Sequence, residues 1–258
     1  MLFNIYDNCD LFLLLLVRMS GAVLLNPLFG RRNVPNLVKA GLTFALAAVL
    51  TVYSASSVPA FRISSILEFF YMALMEFMVG YVVSFVCSVF FSAVIVAADV
   101  IDMQLGIGMA KAFDPGSNIT APVTGSIFNG FMVIIFFATN GHITLFKLLA
   151  DTVAAVPCGS GFTVSGAALA VTGVIGSAFT IALKLALPVI AIELIFELGL
   201  GVLTRVVPHI NIFSVGIQLK LAAGFTVLLI MAPVFGSFCD ELYSLMFGNI
   251  LKALRHIK

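Results

Sequence analysis

Histidine and cysteine are the residue types used most often for catalysis and metal binding, and this sequence contains few of either. Across the 258 residues they are His142, His209, His256, Cys9, Cys87, Cys158 and Cys239. No two histidines have the spacing of a zinc-binding HExxH helix, and no cysteines form a CxxC pair. His142 follows Asn140-Gly141 and is interpreted as the start of a helix. The GxSxG, GxGxxG and P-loop patterns are also absent, so we expect no enzyme activity, cofactor or metal site.

Ionisable side chains inside apolar segments are the other candidates for chemistry. They are Arg18, Glu76, Asp99, Lys184, Glu193, Glu197 and Lys220. Each would cost at least ~2.5 kcal/mol in lipid, so these groups are expected to face partners or water. Glu193 and Glu197 share one helix face and would repel each other if both were ionised. Lys184 lies on the opposite side of that helix, so Lys220 on the next segment is the nearest candidate partner for Glu193.

The composition requires a membrane or a large apolar partner. Of the residues, 62% are hydrophobic and 10% are charged, and the mean hydropathy is +1.19. A soluble domain is about half apolar and a quarter charged. The net charge of +1 gives no reason to expect a nucleic-acid partner. Asp7 and Asp10 precede the first apolar segment and no basic residue comes before Arg18, so a cleaved signal peptide is not expected.

Apolar segments cover most of the chain, and we expect all of them to be helical. They are residues 11–29, 38–53, 69–101, 127–138, 143–156, 164–203 and 212–238. A membrane-spanning helix needs about 20 apolar residues, so the chain could supply roughly five to seven spans. Several segments are too long, too short or too charged for simple crossings. The prediction is an all-α integral membrane protein in which some segments form hairpins that do not cross.

Small residues recur every four positions in the third segment, at Gly80, Ser84, Ser88 and Ser92. Such a stripe allows another helix backbone to approach closely. The alternative is a chance occurrence of serine within an apolar helix.

An irregular region at about residues 102–124 interrupts the apolar segments. Gly106 and Gly108 should end the preceding helix, and Pro115 biases Asp114 away from helical angles. The region nevertheless remains apolar, through Ile107, Met109 and Phe113. Non-helical backbone at membrane depth is tolerated only inside protein or along a watery cavity. A displaceable seal of a conduit and an ordinary surface connection are both compatible with this pattern.

Four motifs, in this order, resemble the FliR proteins of the flagellar type III export gate, whose injectisome counterparts are the SctT proteins. The first is Arg18 followed by Asn26-Pro27-Leu28-Phe29, and the second is Gln104-Leu-Gly-Ile-Gly-Met109 with Phe113-Asp114-Pro115. The third is Asn140-Gly141-His142. The last is Leu187-Pro188 with Arg205-Val-Val-Pro208-His-Ile-Asn211-Ile-Phe213. The resemblance covers nearly the whole chain, although His209 stands where many relatives have Gln.

The resemblance implies a single export-gate domain, residues 1–258, of bent helical hairpins in a helical hetero-oligomeric complex. FliP and FliQ proteins would form the channel core with it, and FlhA and FlhB proteins would complete the gate. The location would be the bacterial inner membrane at the flagellar basal body, and unfolded flagellar proteins would be the transit substrates. The residues 106–122 match the family element that plugs the pore, here called the plug loop. Ile107, Met109 and Phe113 would form its seal.

Arg205, Pro208, Asn211 and Phe213 are expected to form a turn in which Asn satisfies backbone groups and Phe packs on neighbours. A direct part in transport and a purely structural role remain open for this turn.

Two other functions fit a chain of this composition. A small-solute secondary transporter would place ionisable groups at paired broken helices in two matching halves. An intramembrane enzyme would need a nucleophile and a base, for which the sequence offers no convincing pair.

Overall fold

The computed structural model describes residues 9–54, 65–107, 122–159, 164–206 and 212–257. Every helix or strand in these ranges is an α-helix, which confirms the all-α prediction. In chain order they are α1 (Cys9–Leu24), α2 (Asn36–Ser54), α3 (Ile66–Gln104), α4 (Val123–Ala138), α5 (Gly141–Ala155), α6 (Val164–Val206) and α7 (Ile212–Ile257).

Four of these helices are long and apolar enough to cross a membrane. The candidate spans are Asn36–Ser54, Ile66–Gln104, Gly166–Val206 and Gly216–Ile257. The pair α4 and α5 is bent by 72° at a short break and could supply a fifth span or a re-entrant hairpin. Asn140, which lies at this break, adopts a left-handed conformation with φ of 58°. The described part of the chain thus reaches only the lower end of the expected five to seven spans.

The first helix is shorter than the apolar segment that contains it, because a turn follows Leu24. The Asn26 side-chain oxygen accepts a hydrogen bond from the Leu28 backbone N–H at 2.9 Å, and the Gly30 N–H donates to the Asn26 carbonyl at 2.7 Å. Pro27 also disfavours helical angles at Asn26. The apolar segment thus continues to residue 29, whereas the helix ends at Leu24, just before the Asn26-Pro27 that closes the segment in the sequence.

The last helix is longer than predicted, since it continues beyond residue 238 to Ile257. Asp240 and Glu241 lower the local hydropathy there, but the helical period persists. The buried hydrophobic side chains along this extension are Cys239, Leu242, Tyr243, Met246, Ile250, Ala253, Leu254 and Ile257. Their spacing of three and four residues is that of one helix face, which a hydropathy window does not detect.

The chain divides into two compact units. Unit 1 comprises Met1–Phe90, Asn140–Gly176 and Ser244–Lys258, and unit 2 comprises Phe91–Thr139 and Ser177–Tyr243. In unit 1, α1 packs against α2, and the Phe12 and Phe44 rings meet edge to face at 5.4 Å. In unit 2, the buried Tyr243 hydroxyl donates to the Met132 carbonyl at 2.5 Å and so connects α7 to α4.

Candidate functional site

Arg18 on α1 is the centre of a buried polar network in unit 1. Its side chain is fully buried, and its Nε lies 2.5 Å from the Glu76 carboxylate on α3. Nη1 donates to the Thr152 carbonyl at 3.1 Å and Nη2 to the Val156 carbonyl at 2.8 Å. These carbonyls lie at the C-terminal end of α5, which attracts cations, and the Thr152 carbonyl also accepts from the Val156 N–H at 2.9 Å. One guanidinium therefore connects α1, α3 and the end of α5.

The other oxygen of Glu76 fixes the segment after α5. It accepts a hydrogen bond from the Gly159 N–H at 3.2 Å, and Gly159 adopts a φ of 81° that favours glycine. Cys158 lies beside this network, and burial raises the pKa of its thiol to about 11. The thiolate is the nucleophilic form of cysteine. Cys158 therefore stays protonated near neutral pH, and its surroundings do not activate it for catalysis.

The helices α1 and α3 approach each other closely where the small-residue stripe begins. A Cβ on Gly80 would overlap the Arg18 carbonyl, and a Cβ on Gly21 would lie 2.7 Å from the Phe77 carbonyl oxygen. The Ser84 hydroxyl lies 2.8 Å from the Gly21 carbonyl oxygen and reaches the next carbonyl of α1 as well. Two members of the stripe thus contact α1.

The other two serines of the stripe are more accessible to solvent. Ser88 is half-buried and Ser92 is exposed within the chain.

Two of the charged pairs in unit 2 lie at or near the protein surface. Lys184 on α6 binds Glu241 on α7 at 2.5 Å, with side chains 52% and 47% exposed. Lys220 on α7 binds Glu197 on α6. Lys220 was the candidate partner of Glu193; its charge does act on Glu193, but its ion pair is with Glu197. Lys220 reaches the carboxylate one helical turn further along instead.

Glu193 is fully buried, and both of its carboxylate oxygens are without a hydrogen-bond partner among the described residues. It faces Gly224 on α7, because a Cβ built on that glycine would come within 3.0 Å of Oε1. The same Cβ would overlap the side chain of Leu105, which is also fully buried. The lack of a side chain at Gly224 therefore makes room for both Leu105 and Glu193.

The two ends of the irregular region meet through Asp102 and Thr124. Asp102 in the last turn of α3 is fully buried, and its carboxylate accepts from the Thr124 hydroxyl and from the Thr124 N–H, 3.3 Å away. Thr124 lies in the first turn of α4, where Pro122 is the N-cap and makes no side-chain cap. Asp102 therefore places a carboxylate where helix N–H groups lack acceptors. The sequence analysis did not single out either residue.

The helix break at Gly106 is observed, since α3 ends at Gln104 and Gly106 has a φ of 76°. Ile107 is half-buried. The remaining residues expected in the plug lie outside the described ranges: Gly108, Met109, Phe113, Asp114 and Pro115.

The other motif residues are distributed along the chain. Pro27 lies half-buried in the turn after α1, and Arg205 is exposed in the last turn of α6. Pro208 and Asn211 lie outside the described ranges, as does the side chain of Phe213. The expected turn at residues 205–213 therefore stays a prediction.

An apolar cavity of about 340 Å³ lies in unit 2 between α4, α6 and α7. Phe128, Phe131 and Phe235 contribute to its wall, and Thr124 supplies the single hydroxyl among its lining residues. That hydroxyl already donates to Asp102. Among the described residues the wall of the cavity is therefore almost entirely apolar, whereas a small-molecule site usually has several placed polar groups.

Comparison with known proteins identifies the family. Residues 9–246 match the model of the bacterial export proteins, family 1. The chain belongs to this family. It is 33% identical to the flagellar biosynthetic protein FliR of Escherichia coli K12, over 90% of this chain and 88% of the relative.

Two further members of this export family support the assignment. FliR of Pectobacterium carotovorum is 28% identical, over 93% of this chain and 91% of the relative. FliR of Bacillus subtilis 168 is 28% identical, over 94% of this chain and 93% of the relative. The resemblance to the FliR proteins that the four motifs indicated is thus confirmed.

Proposed function

We propose that this export protein is a non-enzymatic subunit of the protein-conducting gate of the flagellar type III secretion system. It acts in the bacterial inner membrane at the basal body and forms the channel core with FliP and FliQ proteins. FlhA and FlhB proteins complete the gate, and unfolded flagellar proteins pass through it. The observation that carries the proposal is the similarity to FliR proteins over nine tenths of the chain, for example at 33% and 28% identity.

The surface charges of unit 2 support a role in a larger assembly. The Lys184–Glu241 and Lys220–Glu197 pairs are at least partly exposed, although they lie on helices apolar enough to span a membrane. Charged groups that faced lipid there would be costly. Only 17% of the most apolar window of α7 is buried within this chain. Other subunits that cover these faces would shield the ion pairs from lipid and bury the apolar surface of α7.

Co-expression tests the assembly. The chain produced with FliP and FliQ proteins should purify as one complex of uniform size, whereas the chain produced alone should aggregate in detergent. A small-solute transporter would instead be stable alone and bind a solute. A chain that remains monodisperse alone and never co-purifies with FliP and FliQ would overturn the proposal.

Substitution of the apolar side chains tests the proposed role of the plug loop. Replacing Ile107, Met109 and Phe113 together by serine should make the membrane permeable to ions, because a wetted constriction no longer excludes them. Deleting residues 106–116 should have the same effect while sparing assembly. Lys111→Ser changes the same loop without removing an apolar group and is the matched control. Ion conductance per assembled complex is the measurement, and unchanged conductance in the triple variant would show that these residues do not seal the pore.

A further inference from the structure

The helix α2 differs from the other candidate spans in where its charge lies. Its only charged side chain is Lys39 in the first turn, and the residues that follow, up to Ser54, are uncharged. The spans α3, α6 and α7 carry charged groups well inside the helix, for example Glu76, Glu193 and Glu241. A charged group that faces lipid is costly. Of the four candidate spans, α2 is therefore the one whose exposed face is best suited to contact with lipid.

The exposed face of α2 is also the more apolar of its two faces. Beyond the first turn it consists of apolar residues and one tyrosine, and Phe44 and Val49 are 56% and 61% exposed. The hydroxyl groups lie on the buried face instead. Thr43 and Thr51 each donate at 2.8 Å to the carbonyl four positions earlier in the same helix. A helix at a water surface has the reverse arrangement, so the exposed face of α2 indicates contact with hydrocarbon.

The length of α2 matches the thickness of a bilayer. Its 19 residues extend over roughly 28 Å, close to the ~30 Å of a hydrocarbon core. The two ends of the helix therefore lie at the two faces of that core. Tyr53 is exposed in the last turn, and tyrosine is enriched where a membrane meets water.

Three basic residues stand at the other end of α2, and we call Arg31, Arg32 and Lys39 the basic turn. Arg31 and Lys39 each donate to a main-chain carbonyl of the turn that precedes the helix, at 2.9 and 3.1 Å. Arg32 is exposed beside them. The sequence has no acidic residue at positions 11–67. Basic residues next to a membrane span attract anionic headgroups, so the charge of this turn is complementary to a lipid phosphate.

We propose that the exposed face of α2 contacts membrane lipid and that the basic turn binds the phosphate headgroup of an anionic phospholipid. The acyl chains of that lipid lie along Leu37 and Phe44. This inference goes beyond the proposed function, because it concerns the lipid around the chain and not the path of export. The alternative occupant of this face is another protein subunit.

Photo-cross-linking in living cells tests which neighbour covers α2. A photoreactive amino acid at Leu37 or Val49 of the full chain should form adducts with phospholipid, which mass spectrometry identifies. The same amino acid at Ala47, which is fully buried on the opposite face of the helix, is the matched control and should give no lipid adduct. Adducts with protein alone at Leu37 and Val49, or lipid adducts no more frequent there than at Ala47, would overturn the inference.

The headgroup is tested by the lipid classes found in the adducts at Leu37. Anionic phospholipid should be enriched there over its share of the membrane. Arg32→Gln should lower this enrichment by about fivefold, the contribution expected of one basic residue near an anionic surface. Arg32→Lys keeps the charge and should keep the enrichment. Lys147→Gln removes another exposed charge of unit 1 and is the matched control.

Two results would overturn the headgroup site. One is an anionic share at Leu37 no higher than in the membrane as a whole, and the other is an unchanged enrichment in Arg32→Gln. Isolated membranes give a second measurement that needs no substitution. Raising the salt concentration screens exposed charges, so the enrichment at Leu37 should fall in high salt. An enrichment that does not respond to salt would also contradict binding by the basic turn.

Discussion

At the residue scale, two ion pairs with the same N–O distance differ in how deeply they are buried. The Arg18–Glu76 and Lys184–Glu241 pairs both have N–O distances of 2.5 Å. The side chains of the first pair are 0% and 3% exposed, and those of the second are about half exposed. Removing one partner of a buried pair leaves an uncompensated charge, whereas an exposed pair is screened by solvent. The two pairs are therefore expected to respond very differently to the same substitution.

Arg18→Ala should destabilise the protein by about 3–5 kcal/mol, the cost of leaving one buried charge unpaired. The loss also leaves the Thr152 and Val156 carbonyls without the guanidinium donors. Arg18→Lys should recover only part of the loss, because an ammonium cannot reproduce the planar arrangement of three donors. Lys184→Ala is the control and should cost no more than about 1 kcal/mol. The measurement is thermal unfolding of the purified complex, and equal effects of Arg18→Ala and Lys184→Ala would contradict the account.

The sequence identified Arg18 and Glu76 as charges in apolar segments but could not pair them, because they are 58 positions apart. It could not identify the main-chain carbonyls that Arg18 binds, since every residue has one. Asp102 was missed for a different reason. It was assigned to the irregular region, whereas it lies in the last turn of α3. A carboxylate at a helix end followed 22 residues later by a threonine gives no recognisable local signal.

At the element scale, the apolar segments predicted the existence of every described helix but not all of their ends. Helix starts and ends at Gly106 and Asn140-Gly141 were recognisable, because these residue types favour the backbone angles found there. The extension of α7 to Ile257 was missed, because its charged residues alternate with buried ones at the helical period. Hydropathy detects a helix that is apolar on all sides, and periodicity is needed for one that is apolar on one face.

The close approach of α1 and α3 gives a prediction for glycine. Gly80→Ala should destabilise the protein by about 1–3 kcal/mol, because the added methyl group overlaps the backbone of α1 at Arg18 and the helices must separate. Gly248→Ala is the matched control on another helix of unit 1, since nothing lies within 4 Å of its Cβ position. It should stabilise the protein by up to about 1 kcal/mol, because alanine favours the helix. Thermal unfolding distinguishes the two, and a neutral Gly80→Ala would show that the helices are not in close contact there.

At the scale of the whole molecule, the chain exposes apolar and charged side chains that the proposed assembly would cover. Large apolar side chains such as Leu67, Leu198 and Leu229 are more than 70% exposed. In a membrane such residues could face lipid. The partly exposed ion pairs on α6 and α7 could face lipid only at a substantial cost in free energy. Glu193 is buried, and its carboxylate has no hydrogen-bond partner in the part of the chain that the structure describes, which is a second feature not explained by contact with lipid. In the proposed assembly other subunits would cover these faces, and one sequence specifies such contacts only indirectly.

The most direct test of the account is whether an exported protein touches the plug loop during transit. A photoreactive amino acid at Ile107, Met109 or Phe113 should cross-link a flagellar protein whose export is stalled by a folded domain fused behind it. The same amino acid at exposed Leu67 on α3, at the opposite end of that helix from the loop, should give no adduct. Adducts at the loop positions that depend on the stalled protein are the predicted result. Absence of adducts at all three loop positions in an exporting cell would contradict the claim that this chain lines the path of export.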